Sequence, residues 1–355
     1  QVKDMLGYTQ EEALIKWTEL SSDNPINEIG FQKTVKAIET GEVQEPYELE
    51  LVHKKGKKVW VEVREAPVVE NGKTINIVGA LTDITERKHA EEEMRLLLTL
   101  TQTIAEAEDF DSALTSVLWM VCESSSWDFG EVWIPSSDSR YLELSPSWYC
   151  KSKEVESFRI ASKQFTFAPG VGLPGRVWLS KKPAWIQDVI VDPNFPRARF
   201  AKEVGFKAAV GIPIIADNYV VAVMEFFLRE VRQEEERIVV LVLAVASQLG
   251  TLFRRKQAEE ELVEREKRYR ALFNLSPSGI VLEDIEGNTV EVNEAYCKSI
   301  GYSPEELIGK NVRMVASPEQ IPHIEDNIAL LRSGKTLQHV VEDIKKDGTR
   351  CWMEL

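Results

Sequence analysis

Leu6-Gly7-Tyr8-Thr9-Gln10-Glu11-Glu12-Ala13-Leu14, close to the start of the chain, returns as Ile300-Gly301-Tyr302-Ser303-Pro304-Glu305-Glu306-Leu307-Ile308 close to its end. The offset is 294. A second stretch, Glu48-Leu49-Glu50-Leu51-Val52-His53-Lys54-Lys55-Gly56-Lys57-Lys58-Val59-Trp60-Val61-Glu62, matches Val340-Val341-Glu342-Asp343-Ile344-Lys345-Lys346-Asp347-Gly348-Thr349-Arg350-Cys351-Trp352-Met353-Glu354 at an offset of 292. Two collinear matches with a two-residue slip mean that one domain type is present twice. Thr9 with Glu12, and Ser303 with Glu306, have capping-box spacing, and Pro304 stands at the first helical position, where a missing N–H costs nothing. A helix is expected to start there in each copy. Lys55-Gly56 and Asp347-Gly348 lie between alternating runs, as in a hairpin turn where Gly supplies positive φ, so paired strands are expected around both. The second copy opens on a hairpin pattern within Leu272 to Asn293 that the first lacks, and the first continues through strands from Ile75 to Asp83 that the second lacks.

Asn293-Glu294-Ala295, Gly301-Tyr302-Ser303, the Lys-Asp-Gly turn and Asp83-Ile84-Thr85-Glu86-Arg87 resemble a PAS domain with its C-terminal PAC segment. The resemblance covers residues 1–90, without the first strands, and residues 269–355, without the last. It implies an antiparallel five-stranded sheet with short helices over a small ligand pocket.

Between the copies, Phe110 to Cys122 reads as a helix and Trp127 to Ile134 and Tyr141 to Trp148 as strands. Ala208 to Ile215 and Tyr219 to Phe227 read as a hairpin around Ala216-Asp217-Asn218. A mixed sheet flanked by helices is expected. Pro169-Gly170-Val171-Gly172-Leu173-Pro174-Gly175-Arg176-Val177-Trp178, Pro183-Ala184-Trp185-Ile186-Gln187-Asp188-Val189 and Ala209-Val210-Gly211-Ile212-Pro213-Ile214 resemble a GAF domain over residues 95–253. The whole is then an α+β chain of partial PAS, GAF and partial PAS domains joined by helices at 86–108 and 233–272.

Composition narrows the chemistry. With 43 Lys+Arg against 58 Asp+Glu the net charge is −15, which leaves no basic surface for a nucleic acid partner. The longest apolar run, Ile238 to Ala246, is about half of the roughly 20 residues of a membrane span. Cys122, Cys150, Cys297 and Cys351 are far apart and form no CxxC, so neither a zinc cluster nor a disulfide framework is indicated. A reducing cytoplasm fits. The chain has no initiator Met and stops inside an alternating run, so it is expected to be a piece of a longer protein.

Gly170-x-Gly172-x-x-Gly175 spells a dinucleotide-binding string, but no βαβ context surrounds it and Pro174 stands where the helix should start. Arg176-Val177 replaces the Lys and Ser/Thr of a P-loop. The segment also lacks the Asn-Lys pair usual in GAF domains that bind cyclic nucleotides. Six of the nine Trp fall in the middle segment. Indole rings serve a core or a pocket for a planar ligand equally well, and Trp133, Trp148, Trp178 and Trp185 are the pocket set if there is one. An unidentified small molecule is the expected ligand.

Among cofactors, bilin attachment is disfavoured because no Cys lies between Lys151 and Cys297. Gly309-Lys310-Asn311-Val312-Arg313-Met314-Val315 is close to the flavin pattern of light-sensing PAS domains, yet Val312 replaces the adduct-forming Cys. His323 stands eleven residues before Gly334, as the proximal ligand does in haem-binding PAS domains. No distal Arg has a match, so haem there is not expected. His53, His89 and His339 lack the neighbours of a nucleophile–base pair, and His89-Ala90-Glu91 lacks the order of a kinase phosphoacceptor. No catalytic residue is read anywhere in the chain.

Asp83-Ile84-Thr85-Glu86 reads as an N-cap with Glu three positions on, fastening the last strand of the first copy to a helix; Asp83, Ile84 and Thr85 are the expected signal-relay residues. Ala90, Met94, Leu97, Thr101 and Ile104 step by four and three, as do Ala258, Leu262, Arg265, Tyr269 and Leu272, and both seams suit a parallel homodimer. The resemblances imply the sensory region of a histidine kinase of a two-component system, with an output domain and a response regulator as partners. The same sensors also precede cyclic-dinucleotide cyclases and phosphodiesterases.

Overall fold

A computed structural model describes residues 2–9, 11–12, 17–233, 236–333, 336, 338 and 340–354. Gln10, Ala13 and Leu14 of the first match, with Gly334, His339 and Leu355, lie outside the described residues. Two units form, Gln1–Arg254 and Arg255–Leu355.

The first unit opens with α1 (Val2–Leu6) and α2 (Ile26–Thr40). Three antiparallel strands follow in order: β1 (Tyr47–Val52), β2 (Lys58–Glu70) and β3 (Lys73–Asp83). The Lys55-Gly56 turn is the expected hairpin, with Gly56 at φ +81, a left-handed conformation that Gly adopts without a steric penalty. Val52 pairs with Lys58 and Leu51 with Val59. Leu49, Leu51, Val59, Val61 and Val63 point inward with Leu6 and Leu20 to make a small core. Thr9 and Glu12 exchange the two hydrogen bonds of a capping box.

Out of β3 runs α3 (Thr85–Glu106), then α4 (Phe110–Ser125), capped by Asp109 and Ser112. The middle domain follows: β4 (Phe129–Pro135), β5 (Leu142–Cys150), α5 (Glu156–Ser162), α6 (Gly172–Ser180), β6 (Ala184–Ile186), α7 (Ala198–Val204), β7 (Ala208–Ala216) and β8 (Tyr219–Leu228). Its five strands lie in the order β5-β4-β8-β7-β6. Every pair is antiparallel, so the expected mixed sheet is corrected. Asp217 and Asn218 both have positive φ in the tight turn between β7 and β8, which matches the twist of a two-residue hairpin.

Alternation along the strands feeds two cores. Val210, Ile212, Ile214, Met224 and Phe226 face one side, against α3, α4 and the start of α8 (Glu236–Leu275). Phe129, Trp133, Ala209, Val223 and Phe227 face the other, against α5, α6 and α7. The apolar run from Ile238 sits inside a helix 40 residues long, which holds an 18-residue stretch of mean hydropathy 1.6. Val242, Val245, Ala246 and Leu249 of that stretch are buried in the first of these cores, which accounts for its composition.

In the second unit β9 (Val281–Glu283) pairs with β10 (Thr289–Val292) as the expected hairpin. Then come α9 (Glu294–Ile300), capped by Asn293, and α10 (Pro304–Leu307), which carries the Ser303/Glu306 capping box with Pro304 in its first turn. After α11 (Ile321–Arg332), strands β11 (Val340–Ile344) and β12 (Arg350–Glu354) pair around Gly348, at φ +83. Asp343 pairs with Cys351 and Ile344 with Arg350, the register of the first copy shifted by the repeat.

Candidate functional site

Three features carry chemistry: a helix clamped at both ends, a buried charge cluster, and two cavities that share the inward face of the repeated strand.

The clamp grows from Asp83, whose Oδ1 accepts the Thr85 N–H at 2.9 Å. Thr85 Oγ1 accepts the Trp60 N–H at 3.0 Å, and the Ile84 N–H donates to the Trp60 carbonyl at 2.9 Å. Thr85 and Ile84 are buried. Lys88 lies over the Trp60 ring and, with Arg87, holds Glu48 of β1. The expected capping box is corrected: Ile84 occupies the N-cap position, and Glu86 reaches Arg237 at the start of α8 instead of turning back to the cap. At its far end α3 buries Leu100 and Ile104 in the core of the middle domain. One rod is therefore fastened to a sheet of the first copy and to the core of the next domain.

The heptad reading of this helix divides. Leu97 and Ile104 face the core of the middle domain, while Met94, Leu98 and Ala90 remain exposed. The second seam, Ala258, Leu262, Arg265, Tyr269 and Leu272, is exposed throughout.

In the middle domain, Glu131 and Glu225 stand directly opposite each other on β4 and β8, inside an apolar core. Like charges so placed repel. Arg197, on the loop before α7, lies between them: it donates to Glu131 Oε1, to Glu225 Oε2 at 2.5 Å and to Ser162 Oγ at 2.9 Å. The rings of Trp133, Phe158, Phe167, Phe195 and Phe227 surround its guanidinium at 5.0 to 5.6 Å. Burial pushes the Glu225 carboxyl up to about 7, with Arg197 opposing the shift and Glu131 adding to it. Arg159 donates to the Ser145 carbonyl and faces Glu131 at 3.6 Å. Its other side floors a cavity of about 710 Å³ walled by Leu144, Trp148, Ile160 and Phe165, with Glu143 and Lys163 among its lining. An aromatic or apolar molecule with a polar end fits such walls.

The four Trp singled out do not line one site. Trp148 borders the 710 Å³ cavity. Trp133 is fully buried and donates to Glu225 at 2.7 Å, and Trp178 packs at the edge of the same core. Trp185 belongs to the opposite face of the sheet, edge-on to Trp127, and donates to the Arg232 carbonyl. The Gly170-x-Gly172-x-x-Gly175 loop does start a helix, with Pro174 tolerated in its first turn, where the N–H has no intrahelical partner to lose. At the start of this helix Asn194 accepts the Gly172 N–H at 2.9 Å and donates to the Gly170 carbonyl.

The first copy encloses a cavity of about 220 Å³ lined by Leu6, Trp17, Leu49, Leu51 and Val63, with Glu65 held by Thr34 at 3.0 Å. The second copy encloses about 210 Å³ between β9, β11, α9 and α11. Ile324, Asn327 and Ile328 of α11 line it, whereas His323 is exposed and takes no part, so the haem-ligand position has no counterpart in the cavity wall. Asp343 and Glu283 both line this cavity. Burial pushes Asp343 up to about 6, and burial together with Asp343 raises Glu283.

Sequence reasoning missed both groups of buried charge. Glu131 and Glu225 each interrupt an apolar strand, and Asp343 replaces Leu51 within the quoted repeat; these mismatches were the available signal.

Comparison with known proteins places these features. A PAS domain model matches residues 1–86, a GAF domain model residues 107–254 and a PAS fold model residues 267–355. The methyl sulfide methyltransferase-associated sensor of Methanosarcina acetivorans is 23% identical over 99% of this chain. The chain spans 35% of that relative's length. Among solved structures, the GAF domain of a phosphoenolpyruvate-protein phosphotransferase from Coxiella burnetii is similar over 48% of this chain and 98% of its own, at 19% identity and a TM-score of 0.42. Free methionine-R-sulfoxide reductase of Neisseria meningitidis is similar over 48% of this chain and 93% of its own, at 16% identity and a TM-score of 0.40. On the three family matches, taken in order, this chain is built of a PAS domain, a GAF domain and a second PAS domain.

Proposed function

We propose that this chain is the sensory and signal-relay region of a histidine kinase in a two-component system, with small molecules in the PAS and GAF cavities as its inputs. The observation that carries this reading is α3, clamped through Thr85 and Asp83 to Trp60 at one end and buried through Leu100 and Ile104 in the GAF core at the other. A rearrangement of the PAS sheet moves such a helix as a body, because neither end can slip without breaking buried contacts. Arg237 pairs with Glu86 and Glu93, which ties the start of α8 to the same rod. The exposed seam of α8 from Ala258 to Leu272 suits pairing with the same helix of a second copy. Four free cysteines fit a cytoplasmic setting. The relative named as a sensor supports the sensory half of the proposal.

The test is autophosphorylation of the whole protein carrying Thr85→Ala or Asp83→Ala. Altered basal output with an intact fold is expected from each. Output equal to wild type in both variants overturns the relay.

A further inference from the structure

The second PAS cavity differs from the first in one respect that the fold does not require. The repeat register superposes Asp343 on Leu51, and each residue lines its own cavity, so an apolar side chain satisfies the scaffold at this position. Asp343 is only 6% exposed, and its carboxylate has no hydrogen-bond or ion-pair partner among the described residues. Glu283 shares the cavity, and among the described residues its lining holds no Lys, Arg or His. The rest of the described wall is mainly aliphatic, with the Tyr296 ring and the Gln320 and Asn327 amides set into it. A buried carboxylate without a counter-charge is costly, and two in one apolar chamber more so. By contrast, each of the buried carboxylates of the GAF domain is ion-paired with Arg197. Resting on the sensory reading above, we propose that the second PAS cavity binds a small organic cation, a compact alkylammonium, with Asp343 and Glu283 as its counter-ions.

Size and shape support that class. A volume of 210 Å³ holds about seven water-sized groups at roughly 30 Å³ each, which suits an amine with a short alkyl body. The aliphatic wall takes the alkyl part, and the two carboxylates take the charge. A hydrated divalent ion is a poorer fit, since it asks for six or more oxygen ligands and the wall is mostly carbon.

The experiment uses the whole 355-residue chain with n-butylammonium chloride, tetramethylammonium chloride, n-butanol, sodium butyrate and magnesium chloride as probes, followed by calorimetry and hydrogen exchange at β11. Saturable binding of an ammonium probe with added protection at β11 is expected. Asp343→Leu, which copies the first domain, should fold and lose at least tenfold in affinity; Asp343→Asn is the isosteric check. Below pH 6 the wild-type affinity should fall up to tenfold per pH unit as Asp343 protonates. Equal binding of butanol, or undiminished ammonium binding in both variants, overturns the cation assignment. Binding of butanol or butyrate in place of the amine does so while leaving a ligand-sensing domain intact. Magnesium protection at β11 equal to that from the amine also overturns it, and so does a β11 that no probe protects.

Discussion

The two PAS domains share a skeleton and differ in what it encloses. In both, a capping box precedes the repeated hairpin, the lysine after that hairpin's first strand donates its backbone N–H to the carbonyl before a left-handed glycine, and its ammonium binds the capping-box glutamate. These are Lys54 with Leu6 and Glu12, and Lys346 with Ile300 and Glu306. Glu50 with Lys58, and Glu342 with Arg350, repeat a further pair. The cavities inside have nearly equal volume, yet Leu51 faces one and Asp343 the other. Local ties thus maintain the fold, while one inward position, Leu51 on β1 and Asp343 on β11, adds a carboxylate to the second chamber that the first lacks there.

That contrast can be broken at the level of buried charge. The largest effect is expected outside the repeat, where Arg197→Leu strands Glu131 and Glu225 opposite each other. Losing one partner of a buried network costs about 3–5 kcal/mol, so the GAF domain should unfold first in a denaturant series followed by Trp fluorescence. Leu51→Asp, which writes the second cavity's chemistry into the first, should destabilise the first PAS domain by about 2–4 kcal/mol, the cost of burying an unpaired polar group. Chemical denaturation monitored by hydrogen exchange at β1 and β2 checks this; a neutral outcome would mean that the first cavity is already wet enough to hold charge.

The reverse exchange, Asp343→Leu, should stabilise the second PAS domain, and its effect has a defined pH dependence. The folded-state value of Asp343 is raised to about 6 from 3.8. A carboxyl so raised contributes stability that is present below about pH 4 and lost as pH rises through 6, on the order of 2–3 kcal/mol in total. The wild type should therefore lose stability across that window relative to Asp343→Leu, as read by hydrogen exchange at β11 and β12. The smallest effects belong to the shared skeleton: Glu12→Ala and Glu306→Ala should each cost about 0.5–1 kcal/mol, and they should be alike. Unequal values would show that the common ties are not equivalent.

Features set by neighbouring residues were legible in the sequence. The capping boxes, the Gly56 and Gly348 turns and the alternation in β7 and β8 all arise within a few positions, where backbone rules act directly. Long-range encounters were not. Glu131, Arg197 and Glu225 meet across 28 to 94 positions, and only the strand register reveals that the two acids face each other. The four Trp are divided between the two faces of the sheet, and alternation without topology does not say which face meets which helix. The α3 seam met a related difficulty: Leu97 and Ile104 have heptad spacing, but both pack in the GAF core. Asp343 was visible as a mismatch with Leu51 once the copies were aligned, yet its meaning needed the cavity.

The proposed relay requires α3 to act as one rigid element between the first PAS sheet and the GAF core. Residue-resolved hydrogen exchange of the whole chain, wild type against Thr85→Ala, tests this most directly. Loss of the Thr85–Trp60 bond should lower protection in the first turns of α3 and, by a comparable factor, from Leu97 to Ile104. Loss of protection confined to the first turn, with Leu97 to Ile104 unchanged, would contradict it.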